Sequence, residues 1–326
     1  MADDVVLLCP GQGAQSVGMG KAWADASPEA RAIFERADAV LAADDVWNET
    51  AALSSLCFDG PADTLNKTNV AQPALYTAAI ASWHGWCAAE GWDPASAPIA
   101  AAAGLSLGEY TALHLAGAFD FETGLSLVAL RGRAMQDAAE ASASGMVALI
   151  GADEASAQAL CDAVLEGHPE DVLVVANLNA PGQVVISGSK AACDRAVEAA
   201  SDHSLKATPL SVAGAFHSPL MAPAAERLAA KLVDTQIAQP RCPVLANVAG
   251  TPHAPTDPAD SGTIGETIRL RLVEQLTGSV RWADNLRWIL DNVSAPLHEL
   301  APGKTLAGIL RRIERSAKAV SHDAPN

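Results

Sequence analysis

Apolar residues first gather at Val5-Val6-Leu7-Leu8-Cys9, an uninterrupted run that predicts a strand buried on both faces, ended by the turn Pro10-Gly11-Gln12-Gly13. Apolar positions at helical spacing then cover residues 28–43, and residues 72–89 read as a long apolar helix carrying Trp83 and Trp86. A second small apolar run, Pro98-Ile99-Ala100-Ala101-Ala102-Ala103, leads directly into Gly104-Leu105-Ser106-Leu107-Gly108-Glu109-Tyr110 and a helix; a further helix spans residues 121–139. This strand-helix alternation predicts a mainly parallel sheet wrapped by helices.

The rhythm changes between residues 145 and 209. Residues 146–151 read as a strand, 154–165 as a helix and 172–177 as a strand, joined by the turn Asn179-Ala180-Pro181-Gly182 to a strand at 183–187. A helix at 190–202 and a strand at 208–212 complete a β-α-β-β-α-β order, which is the ferredoxin-like arrangement. It predicts a small subdomain over 145–209, inserted into a larger unit formed by 1–144 and 210–326. Further on, the pattern gives a helix at 223–234, a strand at 244–248, a Pro-, Asp- and Gly-rich surface loop at 250–262, helices at 263–276, 282–292 and 305–315, and a frayed tail at 316–326.

Composition sets outer bounds. Half of the 326 residues are hydrophobic and 18% are charged, as in an ordinary folded chain with one large core or two unequal units. With 21 basic against 38 acidic residues the formal charge is −17, which argues against nucleic acid or an anionic membrane as the main partner. The six cysteines show no metal-ligand spacing, so reduced, buried thiols and no metal are expected. The N-terminus carries neither a basic leader nor a long apolar segment, so a cytoplasmic location is expected.

The chemistry concentrates at Ser106. Gly-x-Ser-x-Gly between a strand and a helix has the form of a nucleophile elbow, with the hydroxyl projecting beside helix N-terminal amides. A serine needs a base, and of the eight histidines His217, in Ala215-Phe216-His217-Ser218-Pro219 at a strand-helix junction, is best placed to supply it; His114 on the elbow helix reads as structural. The early glycine turn lacks the third glycine of G-x-G-x-x-G and any Gly-Lys-Ser/Thr, so it does not read as a nucleotide loop. It can instead bring the amide of Gln12 beside that of Leu107 as a two-donor oxyanion hole. Arg131, on the helix after the elbow helix, offers a planar two-pronged receptor for a carboxylate. An acyl transferase, a serine hydrolase and a non-catalytic carrier-binding module all remain open here. A hydrolase calls for an acid between Ser106 and His217 and an HGGG-type loop, and neither is apparent.

Several ordered motifs then point to a family. They are Pro-Gly-Gln-Gly-x-Gln at 10–15, the Gly-x-Ser-Leu-Gly-Glu-Tyr elbow, Leu-Arg-Gly-x-x-Met-Gln at 130–136, Asn-x-Pro-Gly-Gln-Val-Val-Ile-Ser-Gly at 179–188, Gly-Ala-Phe-His-Ser-Pro-Leu-Met at 214–221, Glu-Gln-Leu at 274–276 and Pro-Gly-Lys at 302–304. Over essentially the whole chain this series resembles the malonyl-CoA:acyl-carrier-protein transacylases of type II fatty acid synthesis. The fold class expected is α/β: an α/β-hydrolase-like core with a mainly parallel sheet, plus the inserted ferredoxin-like subdomain. The resemblance implies that Ser106 carries a malonyl ester, that His217 serves as base and then acid, and that Gln12 and Leu107 supply the oxyanion amides. It further implies that Arg131 pairs with the malonyl carboxylate and that the backbone carbonyl of Gln275 orients His217.

Phe216 is expected to narrow the acyl pocket. No cofactor is implied beyond the substrate malonyl-CoA; the partner implied is acyl carrier protein, and the state a monomer. Candidate docking cations are Lys190, Arg195, Lys206, Arg269, Arg271 and Arg281. Leu105 stands where the family commonly has histidine, and Ala301 where it has glycine. The pathway served, fatty acid or polyketide, stays open at this point.

Overall fold

The computed structural model describes residues 4–45, 47, 51–254 and 263–325. Strand β1 (Val5–Cys9) is followed by helices α1 (Lys21–Ala26), α2 (Pro28–Ala42), α3 (Leu53–Asp59), α4 (Ala62–Leu65) and the almost wholly buried α5 (Thr68–Glu90). Then come β2 (Ile99–Gly104), α6 (Gly108–Leu115) and α7 (Phe121–Glu140). Local chemistry sets these boundaries. The Ser27 side chain accepts from Ala30 N–H with Pro28 at the first helical position of α2, and Asp120 caps α7 by accepting from Thr123 N–H.

A second unit follows, built from β3 (Ser144–Ile150), α8 (Glu154–Leu165), β4 (Leu173–Ala180), β5 (Gln183–Ser189), α9 (Lys190–Ala199) and β6 (Lys206–Pro209). Its sheet runs β4-β5-β3-β6 with every neighbouring pair antiparallel. It has its own apolar core, in which Val147, Leu149 and Ile186 meet Leu160 of α8 and Ala196 of α9. The chain continues through a short 3-10 turn (Pro219–Met221), α10 (Ala222–Val233), β7 (Leu245–Ala246), β8 (Thr251–Pro252), α11 (Ile264–Thr277), α12 (Trp282–Asn292), β9 (Leu297–Leu300), α13 (Thr305–Ile313) and β10 (Ala319–His322).

The main sheet has the order β10-β9-β1-β2 and is parallel throughout. Both faces are covered, which is why β1 reads as an unbroken apolar run. Val5, Leu7 and Cys9 face the large core containing α5 and α7, whereas Val6 and Leu8 face a second core with Trp282, Leu286 and Leu310. The two units are stitched together where Leu178 N–H donates to Val280 O and Val280 N–H donates to Ala176 O. All six cysteines are buried free thiols, and no helix among the described residues is long and apolar enough to cross a membrane.

Several expectations need correction. Instead of fraying, the C-terminal segment forms edge strand β10, because His322 stacks on Trp86 with ring centroids 3.9 Å apart and its carbonyl accepts from Trp23 Nε1 at 2.7 Å. Its partner β9 was not anticipated; His298 and Glu299 interrupt the apolar run that would have signalled it. At 244–248 only Leu245 and Ala246 pair, with β8, while Val244 makes a single parallel bridge to Ala102. There the chain turns at Asn247, whose side chain is drawn to the elbow. Helix α9 ends at Ala199 and β6 spans 206–209, both earlier than expected. Of the loop expected at 250–262, residues 255–262 lie outside the described residues, as do residues 1–3 of the N-terminal reading. Deleting residues 319–326 removes a paired edge strand and the His322 ring; it should cost about 2 kcal/mol or more and lower the melting temperature measurably by calorimetry, where a frayed tail would leave it unchanged.

Candidate active site

Between the end of β2 at Gly104 and the start of α6 at Gly108, only three residues make the turn. Ser106 takes φ of 51°, a left-handed conformation that costs a non-glycine residue energy and persists only where its surroundings enforce it. Two glycines allow the bend. A Cβ on Gly104 would lie 1.8 Å from the Gly108 carbonyl carbon, and one on Gly108 would lie 2.2 Å from the Cys9 oxygen. The turn after β1 presses on the same bend, since a Cβ on Gly11 would meet the Leu105 oxygen at 2.2 Å. Asn247 fastens the elbow from the other side: its Oδ1 accepts from Ser106 N–H at 2.6 Å and its Nδ2 donates to Gly104 O at 2.8 Å.

His217 Nε2 lies 2.9 Å from Ser106 Oγ, and its Nδ1 lies 2.7 Å from the backbone oxygen of Gln275. A carbonyl can only accept, so Nδ1 carries the hydrogen and the Nε2 lone pair faces the serine hydroxyl. Burial, and secondly the positive charge of Arg131, push the imidazole down to about 4 from its ordinary 6.5, while the Gln275 carbonyl pulls the other way. The ring is therefore an unprotonated base at neutral pH. No carboxylate contacts Nδ1 among the described residues.

Arg131 is buried at 1% exposure, with its guanidinium 5.5 Å above the Tyr110 ring. Nη1 donates to Gln72 Oε1 at 2.7 Å; Nη2 donates to Gln275 Oε1 and to Ser106 Oγ, each at 3.0 Å. Its Nε is buried without a partner among the described residues, and no carboxylate there forms an ion pair with it. Burial, the largest influence, pushes its pKa below the ordinary value, opposed by Tyr110 and Glu109; a guanidinium nonetheless stays charged.

The structure thus brings Ser106, His217, Arg131 and Gln275 together. The Gln12 side chain donates to Thr68 Oγ1 at 3.3 Å, and neither the Gln12 nor the Leu107 backbone N–H is engaged by a hydrogen bond among the described residues. Phe216, beside the base, is 6% exposed. Leu105 is partly buried against the apolar core that contains Val6, Leu8 and Trp282.

His114 bonds the Phe119 carbonyl through Nδ1 at 3.0 Å, a structural tie as anticipated. Sequence reasoning assigned no role to Gln72, Glu109, Asn247 and His253. Gln72 lies in a helix read only as apolar, and Glu109 was visible inside the elbow motif.

Most candidate docking cations are already engaged. Lys190 pairs with Asp194, Arg195 with Asp171, and Arg281 with Glu154 and Asp284; Arg269 and Arg271 donate to backbone carbonyls. Lys206 alone of the six has a side chain without such a partner among the described residues. On the second unit His168, Glu170 and Asp171 place ligand atoms within 4.8 Å of one another, but Asp171 is held by Arg195 and Ser189.

A part-buried serine-histidine pair sits at a strand-turn-helix elbow with a guanidinium on the serine oxygen, and the family model of the acyl transferase domain matches residues 6–322, which makes the chain an acyltransferase. Within that class the chain belongs to the malonyl CoA-acyl carrier protein transacylase family. It is 39% identical to the malonyl CoA-acyl carrier protein transacylase of Salmonella typhimurium, over 98% of this chain and 96% of that protein. The polyketide biosynthesis malonyl CoA-acyl carrier protein transacylase of Bacillus subtilis is 34% identical, over 97% of this chain and 99% of that one. Among solved structures, the Coxiella burnetii malonyl CoA-acyl carrier protein transacylase superposes with a TM-score of 0.87 at 34% identity, covering 99% of this chain and 95% of the other.

Because Arg131 helps hold His217 down, Arg131→Met should raise the imidazole midpoint from about 4 toward, though not to, the ordinary 6.5. Histidine NMR signals followed against pH read this directly; an unmoved midpoint would contradict the assigned electrostatics.

Proposed function

We propose that this chain moves a malonyl group from malonyl-CoA to the phosphopantetheine thiol of an acyl carrier protein through an ester on Ser106. The observation that carries this reading is the buried Arg131 guanidinium, 3.0 Å from Ser106 Oγ and surrounded by neutral glutamines. No carboxylate among the described residues contacts this buried cation directly, Glu109 acting on it only from beyond Gln275, and a substrate carboxylate supplies a direct partner.

In the first half-reaction His217 Nε2 takes the hydroxyl proton as Ser106 Oγ bonds to the thioester carbon. The oxygen that becomes negative is received by the Gln12 and Leu107 amides, each worth on the order of a hundredfold in rate. The carbon-sulfur bond then breaks, and the coenzyme A thiolate leaves with the proton from His217. In the second half-reaction His217 takes the carrier thiol's proton, the sulfur attacks the ester carbon, and Ser106 Oγ departs with that proton. Arg131 holds the distal carboxylate throughout, and Phe216 narrows the pocket against branched acyl groups. No cofactor enters either step.

The Gln275 carbonyl on His217 Nδ1 favours this reading over a serine hydrolase, whose histidine is held by a carboxylate. The greater similarity to the Salmonella protein than to the polyketide relative favours fatty acid synthesis. The parallel sheet with its serine elbow supports an α/β-hydrolase-like core formed by 1–144 and 210–326. The antiparallel strand order of the second unit supports a ferredoxin-like subdomain over 145–209. We read the protein as a cytoplasmic monomer whose partners are malonyl-CoA and carrier protein, not nucleic acid or membrane, with Lys206 the basic side chain best placed to meet an acidic carrier.

Radiolabelled malonyl-CoA should leave label on Ser106, pass it to added carrier protein, and leave none on Ser106→Ala. Release of free malonate instead would mark a hydrolase. Losing a charge-assisted bidentate contact worth about 1.5 to 3 kcal/mol, Arg131→Ala should reduce the malonyl-over-acetyl ratio of kcat/KM at least about tenfold.

A further inference from the structure

Behind the elbow lies a carboxylate that the transfer steps do not use. Glu109, in the first turn of α6, is fully buried, and three N–H groups converge on it. Asn247 backbone N–H donates to Oε2 at 3.0 Å, Gln275 Nε2 donates to Oε2 at 2.7 Å, and His253 Nε2 lies 2.9 Å from Oε1. Since a carboxylate only accepts, His253 Nε2 carries its hydrogen. The positive charges of Arg131 and Arg271 both feel this carboxylate.

Two of these donors are themselves hubs of the site. Asn247 holds the Ser106 N–H and the Gly104 carbonyl. Gln275 gives its backbone oxygen to His217, its Oε1 to Arg131, and its Nε2 to both Ser106 O and Glu109. We propose that Glu109, seated on His253, is a positioning residue: it fixes Asn247 and Gln275, and through them the strained serine, the tautomer of its base and the guanidinium. This rests on Ser106 being the nucleophile. A carboxylate suits the task because every bond ending on it comes from a donor; an amide in its place would turn an N–H toward one of them. Small displacements at a reacting centre are expensive, with about 1 Å costing on the order of a hundredfold.

The test is Glu109→Gln, which keeps the shape, read with a fluorophosphonate ester. This probe needs no acyl donor: Ser106 Oγ bonds to phosphorus, fluoride leaves, and His217 takes the proton. The saturating inactivation rate should fall on the order of ten- to a hundredfold while the half-saturating probe concentration stays within about twofold. Because Glu109 acts partly through Asn247, the double variant Glu109→Gln/Asn247→Ala should lose less than the product of the two single losses. Should Glu109→Gln fold poorly, His253→Gln, which leaves the other two donors in place, should show a smaller loss in the same direction. Wild-type inactivation rates in folded Glu109→Gln, or losses that multiply in full, would overturn the positioning role and leave the transfer reading intact. If the wild-type protein reacts with the probe yet moves no malonyl group, the transfer reading fails while the probe still reports on Glu109.

Discussion

Three places where backbone lies directly on backbone, at Gly11, Gly104 and Gly108, set the geometry on which everything else at this site rests. Each would admit no Cβ without driving it to about 2 Å from another main-chain atom. Because they are this close, the end of β1, the end of β2 and the start of α6 occupy what is nearly one point. The backbone N–H groups of Gln12 and Leu107 are unengaged among the described residues, and Ser106 takes a left-handed conformation. The flanking glycines are thus a steric requirement of the bend, and the Asn247 side chain then holds a conformation that Ser106 would not adopt alone.

A single cation organises the electrostatics. Among the described residues Arg131 touches only glutamine oxygens, the Ser106 hydroxyl and the face of Tyr110, so the Glu109 carboxylate acts on it without direct contact. The same charge reaches His217 and helps keep it unprotonated. A carboxylate on His217 Nδ1 would undo both effects, raising the base and satisfying the guanidinium. A carbonyl from Gln275 orients the ring without doing either. The neutral orienting group and a guanidinium free of any direct carboxylate contact among the described residues therefore belong to one arrangement.

The elbow, the base and the arginine were legible in the sequence because each lies in a short motif whose chemistry demands those residue types. Strand β1 was legible too, since double-sided burial leaves an unbroken apolar run there. Strands β9 and β10 were not, because the rings and carboxylate of His298, Glu299 and His322 are satisfied by partners outside their own strands: Trp86, α13 amides and each other. Asn247, Glu109 and His253 escaped for the same reason. Their functional meaning is a set of hydrogen bonds spanning more than a hundred residues, with no local periodicity to announce it. Asn247 also explains the shortened strand at 244–248: a residue committed to the elbow cannot continue a ladder.

The order β10-β9-β1-β2 also has a consequence in time. Strand β1 precedes the other strands in the chain, and β2 can pair with one of its edges early. Its other neighbour, β9, emerges roughly 200 residues after β2, which at ordinary elongation rates is on the order of ten seconds or more. Within that interval the second unit, with a core of its own, has all its strands available, while β1 presents an open apolar edge. Polypeptides halted before residue 297 would carry that edge permanently, so the nascent chain passes through its most adhesive state just before the main sheet closes.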